Sequence, residues 1–452
     1  MKRIYKTARW AVLTTLVLQT CAAQALDLVG AYEQALRHDP AKLAANEALA
    51  AGREKAVQGD SLLKPRVGLQ AGYGRLDNHS SGAVPPALSA VLPEHSSGTV
   101  RQAVIQLSQP IYDATARAEK RQLQQQARLA ETEFDQAQQT LAQRVAEAYF
   151  GVLQAQENLR VTLAEKAAIA MQRERAQARF DVGRGKATDL QEARARYDQI
   201  LSKEINARSL LELRRAQFEE TTGAAADGVA ALAPGQAPTP PEPDNLLAWQ
   251  LKGEDQSTAV RVRRSQLEIA IAEIEKHKMS GRPSLSLVAS YAARGQNGGL
   301  SPLVAASNDR NAYAGLQFNL PLYAGGALDS REREAQSRRR EAEQELAAAK
   351  RDVRLQVQDA YLSVRTGVPR IAAAEQSLLS ARTALEATTL GRDVGTRTEL
   401  DVLDVQQRAF AAEFELVQAR LDYLLGRVRL AAAAGELGEQ QLRELNSWLA
   451  KP

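Results

Sequence analysis

Asp181-Val182-Gly183 returns 212 residues later as Asp393-Val394-Gly395 (393 against 181), and Asp189 returns as Asp401 at the same offset. Ala148-Tyr149 is echoed by Ala360-Tyr361, again at 212, and Gln109-Pro110-Ile111-Tyr112 by Leu320-Pro321-Leu322-Tyr323 at 211. Unrelated patterns that keep one offset mark an internal duplication. The first repeat is placed at 26–223, the second at 246–434, and a C-terminal tail at 435–452. Between the repeats, 224–245 carries Pro234, Pro238, Pro240, Pro241 and Pro243, the composition of a stiff extended linker.

Working outward from the Val-Gly pairs, each half has the same order of elements. A helix (Leu28 to about Leu63, and about Asp255 to Met279) stops at Lys64-Pro65 or Arg282-Pro283, because proline cannot continue it. Two strands joined by a loop follow, and Pro110 or Pro321 marks the exit into a long helix. Val67, Leu69, Ala71 and Tyr73 alternate with Gln70, Gly72 and Gly74. Leu285, Leu287, Ala289 and Tyr291 oppose Ser286 and Ser290, while Ala314, Leu316, Phe318 and Leu320 oppose Gly315, Gln317 and Asn319. The strand from about Thr99 to Ser108 is weaker, with Ile105 and Leu107 against Gln106. Such alternation over about ten residues suits a membrane β-strand with a polar lumen side. An ordinary half-buried sheet alternates in the same way, and on the strands alone it is the favoured reading.

The helices tilt that balance. From Ala116 to about Val182 there is no proline and only Gly151 among glycines, enough for a straight helix of roughly 100 Å. Leu123, Ala127, Ala130, Phe134, Ala137, Leu141, Val145, Ala148, Val152, Ala155 and Leu159 step by four and three, a coiled-coil seam. Leu403, Phe410, Phe414, Val417, Leu421, Leu424 and Val428 repeat it near the end. Gly367 and Pro369 predict an interruption and kink in the second long helix. Four strands cannot close a barrel, and open edges cannot face lipid with unsatisfied N–H and C=O groups. If they enter a membrane, several copies must supply strands, eight from two copies or twelve from three.

At the start, Lys2, Arg3, Lys6 and Arg9 precede a short apolar run from Trp10 to Leu18 and the small-x-small Ala23-Gln24-Ala25. Residues 1–25 therefore read as a signal peptide, cleaved to leave Leu26 first. A lipid-carrying Cys21 is the alternative, disfavoured by Thr20 before it. Removing this segment takes the net charge of +4 to zero, so the basic balance gives no support for nucleic-acid binding. It also removes the only cysteine, and with it any thiol or disulfide chemistry. No later run reaches 18 apolar residues, so no helix is expected to span a membrane.

The mature start, Leu28-x-x-x-Tyr32-x-x-Ala35-Leu36-x-x-x-Pro40, resembles the opening of TolC-family outer-membrane factors. Arg179-Phe180-Asp181-Val182-Gly183, Thr188-Asp189-Leu190 and the run from Asp393 to Asp404 are similar to the family's paired turns, and the likeness covers nearly the whole mature chain. It implies an α+β membrane protein of Gram-negative bacteria. In such a protein three copies share a 12-stranded outer-membrane β-barrel set in lipid, continued by an α-helical coiled-coil tunnel into the periplasm. It implies as partners a periplasmic adaptor (membrane fusion) protein and an inner-membrane ABC or other transporter, which hand over protein or small-molecule cargo. Val182, Gly183, Val394 and Gly395 would form the tunnel tip where the adaptor docks. Asp401 and Asp404, three apart on one helix face, would form a constricting acidic ring. Crowding of six carboxylates is expected to raise some of their pKa values. Arg397 would link to Asp189 across the subunit boundary. Arg392 stands where the family often has tyrosine, and the sequence leaves open whether it also bridges to a carboxylate.

No nucleophile–base constellation, cofactor motif or metal-ligand spacing accompanies these features, so neither an enzyme nor a cofactor is expected. Gly183-Arg184-Gly185-Lys186 lacks the spacing of a phosphate loop. Arg338-Arg339-Arg340 reads as a solvated helix face. His79 and His95 fall in one loop, Asn78 to Ser97, with no third ligand pattern beside them. A periplasmic adaptor would carry a single hairpin and a lipoyl-like domain, and a structural coiled coil would lack alternating strands. The expected function is therefore an outer-membrane export duct, with type I protein secretion favoured over multidrug efflux by the run around Asp401.

Overall fold

The computed structural model describes residues 26–79, 95–226, 229–233, 235–298 and 306–450. The expected signal peptide and the tip of the loop between His79 and His95 lie outside them. The duplication is visible element by element. In the first repeat α1 (Leu28–His38), α2 (Pro40–Ser61), β1 (Arg66–His79), β2 (His95–Asp113), α3 (Ala114–Asp181) and α4 (Ala187–Thr222) follow one another. The second repeats them as α5 (Leu246–Gln256), α6 (Thr258–Met279), β3 (Ser284–Gly298), β4 (Ala306–Asn319), α7 (Ala327–Asp393) and α8 (Glu399–Ala433). A short α9 (Glu439–Asn446) closes the chain.

The opening helix of each repeat is two helices rather than one. Asp39 caps α2 by accepting from the Lys42 amide at 2.8 Å, and Pro40 fills the first helical position, where its missing N–H costs nothing. Ser257 makes the matching break before α6. The sheet has the order β1-β2-β3-β4, antiparallel throughout, so β2 and β3 join the two repeats and β1 and β4 remain edges. Its register carries the alternation across all four strands: Leu69 pairs with Ile105, Ile105 with Tyr291, and Leu287 with Leu316. Directly paired residues share a face, so the apolar sets fall together and Gln70, Gly72, Gln102, Gln106, Ser290 and Gln317 fall opposite. Val67, Leu69, Tyr73 and Phe318 are exposed in the single protomer. The strands run 14 to 19 residues, longer than the apolar alternation, because pairing continues past it through Arg75, Asp77, Arg294 and Arg310.

α3, at 68 residues, is the spine. α2 lies along its first part, where Asp60 meets Lys120 at 2.9 Å, and α4 along its last part, where Lys166 meets Glu204 at 2.6 Å. α6 and α8 do the same for α7, with Arg263 on Glu345 and Arg420 on Glu375. α7 is one uninterrupted helix through Gly367 and Pro369. Gly367 is small because Tyr423 of α8 lies against it; an added Cβ would stand 3.1 Å from the tyrosine ring. The main core is a belt at mid-length, built from Leu28, Tyr149, Phe150, Phe218, Tyr361 and Tyr423 among others. The repeated tyrosines hold the inter-repeat segment there: Tyr149 Oη bonds to Ala230 and Leu26, and Tyr361 Oη donates to Asp244. Residues 435–450 fold back on this belt through Leu442 and Trp448.

Candidate functional site

Both long hairpins turn at one end of the molecule, and the two turns have the same hydrogen bonds. After α3, the Gly183 amide donates to Phe180 O and the Arg184 amide to Arg179 O, both at 2.9 Å. After α7, the Gly395 amide donates to Arg392 O at 3.0 Å and the Thr396 amide to Gly391 O at 2.8 Å. This is the Schellman arrangement, which needs a residue at positive φ after the helix. Gly183 has φ of 71° and Gly395 of 82°, and neither would meet an atom within 4 Å if it gained a Cβ. Glycine is therefore required by backbone conformation alone. Val182 and Val394 stand beside them, exposed at 69% and 67%.

Within the protomer the two turns are tied together by charge. Glu399, at the start of α8, accepts from Arg179 Nη1 of α3 at 3.2 Å and lies 3.6 Å from Arg392 Nη1 of α7. Arg392 also donates to Asp393 through Nε and Nη2 at 3.0 and 2.6 Å. Arg392 therefore does bridge to carboxylates, and both belong to its own protomer. No pairing of Arg179 with Glu399 was expected from the sequence. Their contact spans 220 positions, and only the packing of one hairpin on the other creates it.

Each carboxylate of the expected ring has a partner in the protomer. Asp401 forms a capping box with Thr398: its Oδ2 accepts from the Thr398 amide and hydroxyl, both at 2.8 Å, and its own amide donates to that hydroxyl at 3.1 Å. These bonds, first the one from the Thr398 amide and then the one from its hydroxyl, lower the Asp401 pKa from the ordinary aspartate value. The nearby Arg397 charge acts in the same direction. The crowding expected from sequence acts oppositely and needs neighbouring copies. Asp404 binds Arg196 Nη2 of α4 at 2.6 Å, and Arg196 also holds Glu192 at 3.1 Å.

Asp189 sits in the first turn of α4, where a negative charge suits the helix end, with Thr188 Oγ1 at 3.4 Å. Among the described residues, Arg397 and Asp189 form no ion pair within one protomer, and Arg397 packs its stem over Gly391. Leu403 of α8 is buried against Ile169 of α3 and Ile200 of α4, which seats α8 on the first hairpin. Beside it runs a groove of about 320 Å³, with Gln199, Lys203, Gln407 and Phe410 in its walls. The arrangement is one of paired charges around exposed turns.

The chain matches the family model described as outer membrane efflux protein over residues 31–224 and 254–436. It is 33% identical to "Outer membrane protein TolC" of Escherichia coli over 67% of this chain and 63% of that protein. The matched region is therefore somewhat under two thirds of that relative's length. It is 29% identical to "Alkaline protease secretion protein AprF" of Pseudomonas aeruginosa over 65% of this chain and 63% of that one. Among solved structures, the Campylobacter jejuni CmeC outer membrane channel superposes with a TM-score of 0.77 at 16% identity, covering 94% of this chain and 90% of that chain. The barrel-strand and tunnel-helix fold of outer-membrane channels is the fold found here.

Proposed function

We propose, from the premise that this chain belongs to the outer membrane efflux protein family, that three copies close one duct from the periplasm to the exterior. The chain is an outer-membrane protein. The observation that carries the reading is the sheet: an apolar face exposed to solvent in the single protomer and two edges, β1 and β4, without partners among the described residues. Lipid tolerates the face but not the edges, so β4 of one copy pairs with β1 of the next. Three copies give twelve strands, the assembly first suggested by the family resemblance. Exposed Ile205, Leu213, Leu355 and Leu379 on the long helices then pack between copies.

The exposed turns at Val182-Gly183 and Val394-Gly395 are the surface for a periplasmic adaptor, which joins the duct to an inner-membrane transporter. Asp401 and Asp404 form the constriction, and Arg397, which has no ion pair among the described residues of its own protomer, reaches Asp189 of the neighbour. Arg392 contributes within the protomer by holding Glu399. For cargo, the similarity to a protease secretion protein favours type I protein export. Deleting the gene and comparing the secreted proteins with drug susceptibility tests this. Loss of a secreted protein with unchanged susceptibility supports it, whereas hypersensitivity with an unchanged secretome supports small-molecule efflux instead.

A further inference from the structure

At the far end of the molecule from the helical turns, β1 and β2 extend beyond their apolar part and bring two histidines together. His79 and His95, 16 positions apart, are direct register partners on the antiparallel ladder. Their Nδ1 atoms are 3.1 Å apart, and their ring centroids 4.1 Å with planes tilted by 33°. Both rings are exposed. In sequence they fall in a loop with no ligand spacing; in the structure both belong to strands, and pairing supplies the proximity that spacing did not.

A zinc-type ion sits about 2.0–2.1 Å from an imidazole nitrogen, so two such ligands at a tetrahedral angle lie about 3.3–3.4 Å apart. The observed separation needs only a few tenths of an ångström of opening. Without an ion, one ring donates its Nδ1 proton to the other. An ion takes the place of that proton, which moves through solvent to Nε2 of the same ring. Asp77 and Ser97 form the next pair on this face, about 7 Å inward. Asp77 adds negative charge there, and with Arg75 it separates the histidines from the apolar band that ends at Tyr73.

We propose that His79 and His95 chelate a divalent transition ion with imidazole preference, zinc, nickel or copper, at the outer end of the β1–β2 hairpin. Among the described residues the two imidazoles are the protein ligands, with no cluster of three or more ligand side chains. The ion clips the two strands together at the exterior rim. This site is independent of the cargo and of the charges at the helical turns.

Calorimetry on the full detergent-solubilised chain with zinc or nickel chloride tests it. One ion should bind per protomer, undisturbed by excess magnesium, which disfavours imidazole. His79→Gln and His95→Gln should each weaken binding at least about tenfold and the double variant abolish it, while His38→Gln and His277→Gln leave it unchanged. Copper(II) on the unmodified protein gives a reading that needs no variant: hyperfine splitting from two imidazole nitrogens is expected. Oxygen-only coordination, no binding, or equal binding by the double variant would overturn the site.

Discussion

Arg196 of α4 and Asp404 of α8 are joined at 2.6 Å, so a carboxylate assigned to the constriction is held by the neighbouring hairpin of its own protomer. This ties the charge of the ring to the packing of the hairpins. If the proposed duct opens by α8 moving off α4, Asp404 is released into the lumen and the opening becomes more negative as it widens. Arg196→Gln should therefore raise cation selectivity and conductance in planar bilayers. Its side chain is 22% exposed and that of Asp404 42%, so the pair contributes no more than about 0–1 kcal/mol and thermal stability should hardly change. A large loss of stability with unchanged selectivity would mean that the pair is purely structural.

The contribution of Asp401 should be legible in its pH dependence. The Asp401 pKa is depressed by its bonds from Thr398, so its cap on α8 is fully present above the ordinary aspartate range. It is lost only as pH falls through the lower folded-state value. Cation selectivity in bilayers should therefore persist well into the acid range. Thr398→Val removes one bond to the carboxylate and should move the acid limb of the selectivity curve upward. Titration at the same pH in both proteins would show that the capping box does not set it.

Gly183 and Gly395 are required for conformation, not space, and a graded series tests this. Asparagine, which enters the left-handed region readily, should be tolerated at either position. Valine should cost about 1–2 kcal/mol at each turn, the penalty of forcing a side chain into that region. The assembled protein should persist, with adaptor binding and export reduced. Equal export by the asparagine and valine variants would contradict the turn assignment.

Glu399→Gln leaves Arg179 and Arg392 facing each other without the carboxylate between them. Glu399 then loses one charge-assisted bond, from Arg179, and a 3.6 Å ion pair with Arg392; a bond to a charged group contributes on the order of 1–3 kcal/mol. Because Glu399 joins α3, α7 and α8, the result should be a higher basal conductance than that of Arg397→Ser, which removes only the single link proposed to Asp189 of the neighbour. Bilayer recordings of the two variants side by side decide it; a smaller effect at Glu399 counts against its place in the closed tip.

Periodicity and repetition made the architecture legible. The 212-residue offset, the Val-Gly pairs and the strand alternation led directly to paired hairpins and a four-stranded sheet. Elements ended by proline or glycine were also readable, and Asp39-Pro40 carried a helix start that went unread. Long-range side-chain pairing was hidden. Arg196 with Asp404, Arg179 with Glu399 and His79 with His95 depend on which helix or strand lies alongside which. Thr398-x-x-Asp401 is a local capping-box pattern that the sequence carried and that went unread, and it assigns Asp401 a helix-capping role alongside the proposed ring.

In the proposed barrel, β1 of one copy pairs with β4 of the next. Replacing Leu69 of β1 with cysteine, together with one of a series of positions from Tyr313 to Phe318 of β4, places thiols on the two edges. Mild oxidation in the outer membrane should yield covalent species that stop at three subunits, at one favoured β4 position and with channel activity retained. A chain that stays monomeric under every pairing yet conducts ions would contradict the shared barrel.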